Sequence, residues 1–95
     1  MDQAGEKRKE EERQLAELQT RLEALRRKFE RFFMGLDKVI PGAERDRLAR
    51  DLRNSPLVRA RNTALRFRFN NVTQRYTALS RNWDRQLRIR EEGTP

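Results

Sequence analysis

Apolar side chains recur at Leu15, Leu18, Leu22, Leu25, Phe29 and Phe32, in alternating steps of three and four residues. That spacing is the a/d seam of a heptad repeat, which keeps one narrow stripe facing a partner helix. The positions between are mostly Glu, Arg, Lys, Gln and Ala, all good helix formers. The pattern predicts a helix over 6–34, ended by Gly35 as a C′ glycine whose left-handed backbone carries no steric cost. Leu36, Val39 and Ile40 follow in a connector closed by Pro41-Gly42, and they are expected to close the end of a bundle. A second, short helix is predicted over 43–53, with Leu48, Ala49 and Leu52 as a stripe too small to hold it in place alone. Ser55 and Pro56 have the chemistry of an N-cap and a first helical position. A third helix is therefore predicted over 56–92, stopped by Gly93. Residues 1–9 show no apolar period and read as a frayed or disordered terminus, while 10–93 read as one domain.

The third predicted helix carries its own heptads, with Val58, Leu65, Val72 and Leu79 at d and Asn62, Phe69, Tyr76 and Trp83 at a. One antiparallel offset sets Leu15 by Leu79, Leu18 by Tyr76, Leu22 by Val72, Leu25 by Phe69, Phe29 by Leu65, Phe32 by Asn62 and Leu36 by Val58. The expected fold is all-α: an antiparallel helical hairpin, a coiled coil of two long helices, with the short middle helix packed at the connecting end. A second apolar face, Leu57, Ala60, Ala64 and Phe67, offers a seat for Leu48 and Leu52 of that middle helix, or else for another chain. Asn62 at a core position reads as a register-setting residue hydrogen-bonded to a neighbour. So narrow a seam leaves little surplus stability for one hairpin, which points to self-association, with a dimer the simplest form.

Charge changes the picture next. The 95 residues hold 23 Lys and Arg against 15 Asp and Glu, a formal charge of +8. Such a balance suits a polyanionic partner, although the skew toward arginine, nineteen against four lysines, is also what GC-rich coding produces. Position says more than the total. From Ser55 to Trp83 there are six arginines and no acid. The antiparallel register sets Arg21, Arg26 and Lys28 of the first helix against Arg59, Arg61, Arg66, Arg68 and Arg75 of the third. Basic side chains facing basic side chains are candidate contacts for a polyanion or acidic partner, or else arms that cover the seam and splay into water. The same register puts Trp83 opposite Glu11, beyond the last leucine of the first helix. Trp83 and Leu87, one turn apart, are then a candidate anchor for a protein partner.

Cysteine and histidine are both absent, which excludes disulfides, thiol nucleophiles and the commonest metal ligand and general base. No phosphate-cradling glycine motif or metal-ligating spacing occurs. No apolar run approaches the ~20 residues that span a bilayer, and no signal-peptide pattern opens the chain. The expectation is a non-enzymatic, cytoplasmic protein without cofactor or metal.

Two stretches, RKFERFFMGLDKVIPGAERDRLARDL and RNTALRFRFNNVTQRYTALSRNWDRQLRIREEGT, resemble a small coiled-coil domain that recurs in uncharacterised proteins of myxobacteria and related deltaproteobacteria. The likeness lies in the turn Phe32-Phe33-x-Gly35, the segment from Asn62 to Phe69, the Tyr76 and Trp83 spacing, and the closing Glu91-Glu92-Gly93-Thr94, spanning about residues 25–94. It implies a helical unit often attached to longer chains, and it assigns no activity or functional residue. The expected function is a helical-hairpin interaction or scaffold module that self-associates or holds another protein. The alternative is nucleic-acid or nucleotide-phosphate binding through the arginine flanks.

Overall fold

A computed structural model describes residues 3–93. The chain forms α1 (Gln3–Phe33), α2 (Gly42–Arg53), a single 3-10 turn (Pro56–Arg59) and α3 (Thr63–Glu92), and no strand occurs among the described residues. The heptad seam of α1 is its buried face: Leu15, Leu18, Leu22, Leu25, Phe29 and Phe32 are all buried. Residues 3–9, expected to fray, are helical, and residues 1–2 lie outside the described residues.

Gly35 ends α1 as expected, with φ +81°. Its N–H donates to the Phe32 carbonyl at 3.0 Å, and the Leu36 N–H reaches back to Arg31 at 2.9 Å. These are the two bonds of a Schellman motif, which satisfy carbonyls the helix end would leave bare. After the turn α2 runs back along α1. Lys28 pairs with Glu44 at 2.7 Å near the start of α2 and Arg21 pairs with Asp51 at 2.8 Å near its end, so numbers rise along α2 as they fall along α1. The helical hairpin of this protein is α1 with α2.

The direction of α3 corrects the expectation. Glu11 shares a cleft with Arg61 and Asn62, Glu23 pairs with Arg75, Phe29 stacks on Trp83 and Arg90 lies over Phe32. Numbers rise together along both helices, so α1 and α3 are parallel. A heptad seam reads the same in either direction, which is why spacing alone did not decide. Leu22 and Val72, which line one groove, are the layer about which the expected and observed pairings pivot; the other expected layers are exchanged.

The connection decides the direction. α2 covers ~18 Å at 1.5 Å per residue, and the segment through Asn62 carries the chain the rest of the way to the level of Glu11. The third helix does not start at Pro56. Ser55 does cap, its Oγ accepting from Leu57 N–H at 3.2 Å, but it caps a 3-10 turn. Ala60 leaves helical geometry at ψ 135°, Asn62 is extended, and α3 opens at Thr63 with Asn62 as N-cap, its Oδ1 accepting from Leu65 N–H at 3.1 Å. Arg66 Nη1 ties the break by donating to the Ala60 carbonyl at 3.2 Å. Asn62 is therefore a cap and not a core residue.

The break also splits the expected second face. Leu57 and Ala60 are buried in the same cluster as Leu48 and Leu52, while Ala64 and Phe67 belong to a different helix and are exposed. Val58, expected at a seam position, is exposed. The core is one cluster drawn from α1, α2, the 3-10 turn and α3, with Tyr76, Leu79 and Phe33 at its margin. The molecule is a rod measuring 64 × 19 × 17 Å.

Candidate functional site

Reversal of α3 brings Trp83 inside. Its ring stacks on Phe29 at 4.1 Å between centroids and 10° between planes, Tyr76 meets it edge-on at 6.4 Å, and only 2% of it is exposed. Trp83 is therefore not an exposed partner anchor, and Leu87 is half-buried one turn on. The antiparallel register left both without partners because it carried them past the end of the α1 seam.

Arg45 of α2 closes the same layer. Its guanidinium lies 5.6 Å from the Trp83 ring and 5.9 Å from the Phe29 ring. One Nη2 donates to Asp84 Oδ1 at 2.7 Å and to the Ser80 carbonyl at 3.3 Å, and also contacts Ser80 Oγ. Burial works against the charge, but hydrogen bonds to Asp84 and Tyr76 outweigh it and raise the Arg45 pKa. This side chain, half-buried like few arginines here, ties α2 to α3.

Half of the basic flank is satisfied within the chain. Arg21 meets Asp51, Lys28 meets Glu44, Arg26 meets Glu23 and Glu30, and Arg75 meets Glu23. For Glu23, burial pushes the carboxyl up, but the Arg26 hydrogen bond and the Arg75 and Arg26 charges hold it below the usual carboxylate range. Four of the eight expected polyanion contacts thus have acids of their own. The mismatch came from the antiparallel register, which left the α2 acids out and did not bring Glu23 to Arg75. Arg66 serves the Ala60 break. No acid pairs with Arg59, Arg61, Arg66 or Arg68 among the described residues.

Two surfaces remain whose apolar residues, Met34 apart, were expected inside. The first is the α1–α2 turn, where Met34, Leu36, Val39 and Ile40 are 72, 58, 79 and 45% exposed. They do not close the bundle, because Phe29, Trp83 and Phe32 already do, with Arg90 covering Phe32 at 4.8 Å. Leu36, Val39, Ile40 and Pro41 line an open groove of about 700 Å³, whose far wall is Lys28, Glu44 and Arg47. Arg31 pairs with Asp37 at 3.0 Å and pins the turn to the end of α1. The second surface is the outer face of α3, where Phe67 is 64% exposed.

No group of three or more acidic side chains converges as metal ligands would, and no helix is long and apolar enough to cross a membrane, among the described residues. No family model, curated protein or solved structure matches the chain.

Proposed function

We propose that this protein is a non-enzymatic helical interaction module that self-associates through the pole formed by the α1–α2 turn. The observation that carries the reading is the exposure of Met34, Leu36, Val39 and Ile40 within seven consecutive positions. Large apolar patches on a small monomer mark contact sites, and a chain only 35% hydrophobic has few such residues to leave in water. The backbone of the turn is also held by the Schellman bonds and the Arg31–Asp37 pair, so contact would order side chains but little backbone. Lys28, Glu44 and Arg47 rim the groove with both signs of charge, which suits an isologous contact in which each copy offers the same patch.

Sedimentation velocity over a concentration series tests this. The expected result is a dimer that dissociates on dilution, and a monomer at all concentrations for Val39→Glu with an unchanged helical spectrum. A wild-type protein that stays strictly monomeric at high concentration contradicts the proposal.

A further inference from the structure

From Leu52 to Trp83 the chain holds no Asp or Glu and seven arginines. The core side of α3 is Leu65, Phe69, Val72, Tyr76, Leu79 and Trp83. At 100° per residue, the opposite side runs through Phe67, Asn70, Asn71, Gln74, Ala78, Arg81 and Arg85. Apart from the aromatic at its head, this stripe is uncharged amides, one alanine and then cations, all exposed. Arg66 and Arg68 flank Phe67 on its two sides, and both are exposed. At the same end of the rod, Lys7, Arg8 and Arg61, with a single acid, Glu11, line a cleft of about 410 Å³ between the start of α1 and the start of α3.

A largely exposed phenylalanine is unfavourable to leave in water, and none of the described residues buries Phe67, which is 64% exposed. Its neighbours choose the occupant. A second copy of this face would set arginine against arginine, so self-pairing through it is opposed by charge. A polyanion is attracted, and one that also carries flat apolar rings satisfies both features together. We infer that the outer face of α3 binds single-stranded nucleic acid, with Phe67 stacking on a base and Arg59, Arg61, Arg66 and Arg68 meeting the adjacent phosphates. Asn70, Asn71 and Gln74 then lie ~5–10 Å along the helix from the stacked base, within reach of base edges or sugar. The inference is independent of the turn pole, which lies at the other end of α1. It also moves the polyanion contacts away from Arg21, Arg26, Lys28 and Arg75, whose charges are already matched.

Fluorescence anisotropy with a labelled oligodeoxythymidine of about 20 nucleotides tests it, with duplex DNA and heparin as competitors. Binding should weaken with salt at a log–log slope of about −3, as four phosphate contacts on a single strand require. Phe67→Ala should weaken binding about tenfold without shifting the thermal transition, since the ring is exposed, and Phe67→Trp should restore it. Arg66→Glu with Arg68→Glu should abolish binding, while Arg75→Gln should leave it within twofold. Val39→Glu should also bind normally, which separates failure here from failure at the turn pole. No binding at low salt overturns the inference. So does binding that Phe67→Ala leaves unchanged and heparin matches, which would mark the face as a seat for any polyanion or an acidic protein.

Discussion

At the residue scale, the side chain that matters most to the fold is Trp83. It fills the layer between Phe29, Tyr76 and Arg45, so its loss leaves a void that rigid helices cannot close. Trp83→Ala should cost about 3–5 kcal/mol of stability, measured by chemical denaturation. As the chain's single tryptophan, it should emit as a buried indole in the native state and shift to the red on unfolding. An exposed anchor would already emit at the red end. Glu23 makes a different prediction. Its folded pKa is lowered, so its stabilisation is complete above the unfolded value, ~4.3, and is lost as pH falls through the folded value. Glu23→Gln should therefore be less stable than wild type at neutral pH, with the two converging in strong acid; urea titrations at a series of pH values read both limbs. The gap should be small, since the carboxylate is about a third exposed and solvent screens its partners.

At the element scale, ends matter more than interiors. Gly35 sits at φ +81° with open space around the position a Cβ would take, so Gly35→Ala carries only the backbone penalty of a left-handed residue, about 1–2 kcal/mol. Crowding plays no part. Asn62→Ala removes the cap of α3 and should cost about 1 kcal/mol, with Asn62→Asp retaining most of it; thermal melts of the three proteins test the assignment. These two positions show what was legible. Gly35 after a regular heptad run has one reading, and the α1 seam and the α2 stripe of Leu48 and Leu52 followed from spacing. The Asn62 cap was missed because the apolar period passes through it: Val58, Leu65, Val72 and Leu79 keep step across a break in the backbone. The available signal was Asn62-Thr63, a good cap followed by a first-turn residue, set against an apolar count that argued for continuity. Phe67 was misplaced by the same error, since its seat on a second face requires a helix unbroken from Leu57.

At the scale of the whole molecule, direction governs the charges and the surfaces alike. Reversal of α3 gives Arg75 the Glu23 carboxylate, and the return of α2 gives Arg21 and Lys28 theirs. Half of what looked like a repelling flank becomes a set of ion pairs, each worth about 0–1 kcal/mol at a surface. The same reversal brings Trp83 into the core and leaves the turn residues Met34, Leu36, Val39 and Ile40 with nothing to cover. None of this was available from spacing, because the choice between parallel and antiparallel lies in how far the 42–62 segment travels back. Association through the turn should be sensitive to charge placed there and indifferent to charge placed at Ala78, on the far side of α3; light scattering on Val39→Glu and Ala78→Glu makes the comparison.

Both proposed surfaces depend on α1 and α3 running in the same direction. The chain has no cysteine, so spin labels can be placed at Arg8→Cys and Arg61→Cys alone. Parallel helices put these positions on one cleft, and dipolar spectroscopy on spin-diluted protein should show neighbouring labels. The antiparallel hairpin sets position 61 beside Phe33, which is ~38 Å along α1 from Arg8; a distance near that value would contradict the fold and the surfaces drawn from it.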